Sequence, residues 1–167
     1  NGALIELGAA LDPGMLYAEA RLSATYPTVE IRVADTCTDL DDALLVVALT
    51  RAVVDTCARA GRPRHPWRTD LLRAAWWRAA RYGLSGDLVH PLTARRVPAV
   101  EATQALRETV SDALAEAGDV DLVDDRLGRL TSAGGGARRQ RAAYERTGEI
   151  SAVVADLVTR TRESVLQ

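Results

Sequence analysis

Residues 17–35 read YAEARLSATYPTVEIRVAD, and the fold is decided in this stretch. Two β-rich runs flank the turn-prone residues Ala24–Pro27, the pattern of an antiparallel hairpin. Each run carries an acid two residues before an arginine, Glu19 with Arg21 and Glu30 with Arg32. Side chains on a strand alternate faces with period two. Glu30 and Arg32 therefore share a face opposite Val29, Ile31 and Val33, and Glu19 and Arg21 share a face opposite Ala18, Ala20 and Leu22. If Ser23 pairs with Thr28, Arg21 falls opposite Glu30 and Glu19 opposite Arg32. Such a charged front has two readings. It can hold a magnesium ion by carboxylate and a phosphate by arginine forks. It can equally be two cross-strand salt bridges on a wet sheet face, each contributing less than about 1 kcal/mol.

Outward from the hairpin, the pattern becomes helical. Strands are expected at about 15–22 and 28–34, after an apolar segment 1–11 that reads as the tail of a helix and ends in the turn signal Asp12-Pro13-Gly14. Thr38-Asp39-Leu40-Asp41 looks like a helix start with a hydroxyl cap at Thr38 and acids in the first turn. Leu40, Leu44, Val47, Ala48, Arg51, Val54 and Ala58 keep the helical period up to Gly61. That helix is apolar nearly all round over Leu44–Leu49, which predicts burial. Further helices are expected over about 67–82, 100–117, 122–131, 137–146 and 149–163, with 83–98 as a loop punctuated by Gly86, Pro91 and Pro98. The expected class is α+β: an antiparallel hairpin, part of a larger curved sheet, followed by a packed array of about five to six helices. Residues 1–167 read as one domain fragment, with strands in 15–34 and a helical layer in 38–165.

Composition narrows the function. The chain has 167 residues, 47% hydrophobic and 26% charged, enough for one real core. No run approaches the ~20 apolar residues that span a bilayer, and a membrane role is not expected. The net charge of −2 weighs against a nucleic-acid binder. All 21 basic residues are arginine, so any phosphate site must use guanidinium. Cys37 and Cys57 form neither a metal spacing nor a disulfide framework, and a cytoplasmic location is expected. His65 and His90 lie beside prolines without a Ser, Cys or Asp partner at a catalytic spacing. Trp67, Trp76 and Trp77 are expected to pack the helix layer.

Three segments together resemble the later half of the carboxylate–amine ligase family, in the glutamate–cysteine ligase superfamily: YAEARLSATYPTVEIRVADTCTDLDDALLVVALTRAVV, WWRAARYGLSGDLVHP and GGGARRQRAAYERTGEISAVVADLV. The resemblance implies a sheet curved around a cavity with helices packed behind it, as in glutamine synthetase-like folds. It implies an ATP- and Mg2+-dependent carbon–nitrogen ligase that phosphorylates a substrate carboxylate, after which an amine attacks the acyl phosphate. It assigns Glu30 to the magnesium that accompanies ATP and Arg32 to the phosphates, and it places Arg21 in the same cavity. The family often has Asp at the position of Glu19. Arg78 and Arg81, before Tyr82-Gly83-Leu84, could reach the cavity from the helix side, with Arg81 as a nucleotide contact, or could cap or pair at a helix C-terminus. Gly134–Gly136 with Arg138, Arg139 and Arg141 could approach phosphate, but the run lacks the spacing and Lys of a P-loop and reads first as a flexible loop.

The partners implied are an amino-acid substrate, an amine, the earlier half of the same domain and a second copy in a homodimer. Because the family's magnesium cluster comes mainly from earlier strands, the chain alone is expected to be inactive. The competing reading is a non-catalytic helical interaction or regulatory module that retains the ligase fold.

Overall fold

The computed structural model describes residues 2–9, 11–12, 19–23, 25–61 and 67–165. The chain divides into two compact units after Asp35. The first holds a short helix α1 (Gly2–Glu6) and an antiparallel hairpin of β1 (Ala20–Leu22) and β2 (Val29–Ile31). The register pairs Ala20 with Ile31, Arg21 with Glu30 and Leu22 with Val29. The backbone N–H of Ser23 donates to Thr28 O and that of Arg32 to Glu19 O, so pairing runs one step beyond the ladder at each end. Ser23 closes the turn: its Oγ accepts from the N–H groups of Thr25 and Tyr26, a hydroxyl-for-backbone substitution that tight turns favour. Residues 15–18 of the expected first strand lie outside the described residues. Residues 32–34 lie beyond the end of β2 at Ile31.

The second unit is helical, with a small hairpin inserted. Helix α2 (Leu40–Ala60) starts at Asp39, whose carboxylate accepts from Asp41 N at 2.9 Å. The cap is therefore Asp39 and not Thr38; a carboxylate both caps the exposed N–H and opposes the helix dipole. Helix α3 (Thr69–Tyr82) ends at Gly83, in left-hand φ space at 52°. A 3-10 turn (Gly83–Ser85) follows it. Then come β3 (Asp87–Val89) and β4 (Arg96–Pro98), paired antiparallel.

This second hairpin replaces the loop expected over 83–98. Its three-residue strands are too short to show alternation, and its turn is organised by a histidine instead of Asn-Gly. His90 N donates to Arg95 O, and His90 Nδ1 accepts from Leu92 N at 3.1 Å. His90 is thus a turn residue; His65 lies outside the described residues.

The helix expected over 100–117 is two, α4 (Ala99–Thr109) and α5 (Ser111–Ala117), broken where Val110 takes φ −106° and ψ 12°. The break drives Val110 inward, where it is 2% exposed. Helices α6 (Val120–Ala133), α7 (Gly136–Thr147) and α8 (Ile150–Val165) complete the unit. Seven helices thus follow the first hairpin among the described residues.

The core joins Leu45, Ala48 and Ala52 of α2 to Val110, Ala113, Leu114 and Val123. Only this stripe of α2 is buried. Leu44, Val46 and Val47 on its other faces are exposed, Val47 at 63%, against the expectation of all-round burial. Small residues on the buried stripe let α5 and α6 approach closely, so one narrow face suffices for the contact. Trp76 and Trp77 are also more than half exposed rather than packed into the layer.

Arginine forks tie the helices at the rim. Arg59 grips Glu116 with two bonds of 2.6 Å, and Arg107 grips Asp124 with two of 2.7 Å. Asp41 takes Arg126 and Arg129, and Asp42 takes Arg139. Among the described residues no helix is long and apolar enough to cross a membrane.

Two outcomes follow from this packing. Leu114 is fully buried, so Leu114→Ala should cost about 2–5 kcal/mol in denaturant unfolding. The bond from Arg59 holds Glu116 below its ordinary pKa, and that from Arg107 does the same for Asp124. Carboxylates depressed in the folded state stabilise it above their unfolded pKa, and that contribution is lost as pH falls through the folded value. Unfolding midpoints should hold from neutral pH to about 5 and drop below about 4, and Asp124→Asn should remove part of the drop.

Candidate functional site

The first hairpin brings Arg21, Glu30 and Arg32 onto one face, as period two requires. Arg21 Nε donates to Glu30 Oε2 at 2.8 Å, so the cross-strand salt bridge of the plainer reading is present. Both residues are half-buried, while Glu19, Arg32 and the opposite apolar side chains Leu22, Val29, Ile31 and Val33 are exposed. The pair does not exhaust Glu30. An ionised carboxylate has about four acceptor positions, and one bond engages one of them.

Among the described residues, no group of three His, Cys, Asp or Glu could hold a metal ion by itself. Magnesium commonly takes only one or two protein carboxylates and completes its octahedron with water and phosphate oxygens. Glu30 fits that role as a single ligand, and Arg32, two residues on along the same face, fits as a phosphate donor about 7 Å away.

In the helical unit, Arg78 and Arg81 separate in role. Arg78 Nε donates to Asp87 O at 2.7 Å, and its guanidinium lies 4.9 Å from the Tyr82 ring centroid, which ties α3 to β3. Trp77 meets the same ring edge-on at 6.1 Å. Arg81 sits 5.8 Å from that ring and lines an open cleft of about 790 Å³. The far wall of the cleft is the turn Gly134–Gly136 and the start of α7, with Arg138 and Arg141.

Gly134–Gly136 is not a loose loop. It is the tight junction of α6 and α7, with Gly134 buried at φ 81° beneath the Arg138 side chain. Arg139, on another side of α7, pairs with Asp42 and donates to Gly134 O at 3.2 Å.

The glutamate-cysteine ligase family 2 model matches residues 4–156. The chain belongs to that family. A Streptomyces avermitilis protein named "Putative glutamate--cysteine ligase 2-1" is 48% identical over 162 residues, covering 95% of this chain and 45% of the relative. A Nocardioides protein of the same name is 51% identical over 164 residues, covering 96% and 43%. A Streptomyces coelicolor "Putative glutamate--cysteine ligase 2" is 47% identical over 162 residues, covering 95% and 45%. The chain therefore spans less than half the length of these curated relatives.

Within this family member, sequence reasoning singled out Arg21, Glu30, Arg32 and Arg81 but passed over the joining of Arg81 with Arg138 and Arg141. The signals were present: three glycines, then basic residues three apart on one helix side. What sequence could not supply is the contact between segments about fifty residues apart.

The glycine geometry can be checked directly. A Cβ on Gly134 would collide with Arg138 Cδ and lie 3.1 Å from its Cβ, in left-handed backbone. Gly134→Ala should destabilise by more than about 1 kcal/mol. Gly128, inside α6 with open space around it, should respond oppositely, with Gly128→Ala stabilising by about 0.5–1 kcal/mol in the same unfolding assay.

Proposed function

We propose that this chain is the part of an ATP-dependent carboxylate–amine ligase that supplies Glu30, Arg32 and Arg21 to the nucleotide. The observation that carries the reading is the placement of these three side chains on one face of one hairpin, in a member of glutamate-cysteine ligase family 2. When bound with magnesium, ATP would supply the phosphoryl group that turns a carboxylate into an acyl phosphate open to attack by an amine.

The roles of this chain's own residues follow from their chemistry. Glu30 offers a hard oxygen to the cation. Arg21 orients Glu30 by holding Oε2, so that the carboxylate does not have to be immobilised when the ligand arrives. Arg32 neutralises phosphate oxygens with a planar fork that a lysine could not reproduce. Substrates of this class are an amino acid and a small amine, and the remaining ligands belong to further sheet strands of the complete ligase. Homodimerisation and a cytoplasmic setting are part of the same proposal.

The alternative of a non-catalytic module draws on one observation, the engagement of Glu30 by Arg21 in a surface pair of ordinary geometry. The two readings part in the full-length ligase. With a panel of amino acids and amines, ATP-to-ADP conversion should fall by roughly a hundredfold or more in Glu30→Gln, the scale of losing one preorganised group at a transferring charge. The melting temperature should stay close to that of the parent, because a lone, partly exposed pair contributes about 1 kcal/mol or less. Unchanged turnover in Glu30→Gln and Arg32→Ala would sink the ligase role of the hairpin.

A further inference from the structure

The cleft between the end of α3 and the start of α7 is lined by charge of one sign. Its walls carry Arg81, Arg138 and Arg141 and no carboxylate. Two other clefts of the unit mix signs: one sets Arg107 beside Glu108 and Asp124, the other Arg126, Arg129 and Arg160 beside Asp39, Asp41 and Glu163.

Among the described residues, ion pairs engage ten arginines of this unit, from Arg51 to Arg160, but none of the three in the cleft. A guanidinium cannot shed its proton to relieve repulsion. Three of them around one hollow therefore raise a positive potential that a counter-anion relieves.

The arginines are also positioned. Arg138 lies with its stem across Gly134, a buried glycine at φ 81° that leaves room for it. Arg141 is three residues on, on the same side of α7, whose first turn carries no acid. Arg81 comes from the opposite wall beside the Tyr82 ring. Gly134, Gly135 and Gly136 complete the wall from which Arg138 and Arg141 project.

We propose that this cleft is a binding site for a multiply charged oxyanion, gripped by Arg81, Arg138 and Arg141. Phosphoryl and carboxylate ligands share the chemistry that the three forks recognise. The site is formed wholly within the helical unit and stands whether or not Glu30 and Arg32 act in catalysis.

Calorimetric titration of the 167-residue chain with tripolyphosphate, inorganic phosphate and citrate tests it. Tripolyphosphate or citrate should bind more tightly than inorganic phosphate, with affinity falling as salt rises. The stronger of the two identifies a phosphoryl or a polycarboxylate ligand. Arg141→Gln and Arg81→Gln should each weaken that binding roughly tenfold, the worth of one charge-assisted bond. Arg162→Gln, an equal charge change on exposed α8, should leave it within about twofold.

Thermal melts of the variants separate lost binding from lost fold, and two variants on opposite walls keep the outcome readable if one of them unfolds. Absence of binding by all three anions, or equal weakening by Arg162→Gln, overturns the site. Neither result bears on ADP formation in Glu30→Gln, so the two proposals fail separately.

Discussion

The narrow buried stripe Leu45–Ala48–Ala52 of α2 is the constraint on which the helical unit depends. It buries one leucine and two alanines, so little bulk separates α2 from Leu114 and Val123. Close packing of this kind tolerates few voids. It also sets where the helix ends lie. With α6 and α7 held near the start of α2, the acids of its first turn meet Arg126, Arg129 and Arg139. Those acids already favour a helix N-terminus on electrostatic grounds; packing gives them a second use. The Gly134–Gly136 junction is thereby tied to α2 through Arg139, and the arginines on the other side of α7 are left facing the cleft.

An arginine-only basic complement shapes the rest. Two-pronged grips such as Arg59 on Glu116 and Arg107 on Asp124 join helices that are distant in sequence. Each is exposed and contributes little to stability alone. Together they fix relative orientation, because a planar fork accepts its partner in few geometries. The same stiffness makes guanidiniums without a carboxylate conspicuous. In the cleft they are held by a glycine beneath one stem and a tyrosine ring beside another, which is local architecture without an electrostatic partner of its own.

Much of this was legible in the chain. Period two and a polar turn gave the hairpin, and its register followed once Ser23 was paired with Thr28, a pairing that places Arg21 opposite Glu30, since a one-residue slip would have moved every side chain to the other face. Gly61 and Gly83 marked helix ends because only glycine enters positive φ without strain. The break at Val110 was invisible, as no proline or glycine announces it; burial of Val110 outweighs local propensity there. The β3–β4 hairpin was hidden because three-residue strands carry no period, and its turn depends on a histidine side chain bonding its own backbone. Asp39 over Thr38 was a choice between two adjacent good caps. The exposed Trp76 and Trp77 show the limit of reading an aromatic as core.

The difference between the two charged regions lies in what each lacks. The hairpin has an acid and a base in contact, Glu30 with Arg21, so on the proposed reading it orients a cation and a phosphate together, yet Glu30 alone leaves most of an octahedron to other donors. The cleft has bases alone, so it can hold an anion but cannot recruit a metal. Amide-bond formation by way of phosphate needs both functions: a cation to screen charge during phosphoryl transfer, and fixed positive groups to keep anionic reactants in place. A family of glutamate–cysteine ligases whose named members are about twice this length has room to divide those demands among several elements. On the reading proposed above, the hairpin serves the reacting phosphate and the cleft the affinity of an anion. Their loss should therefore be felt in different kinetic constants, turnover in the first case and ligand binding in the second.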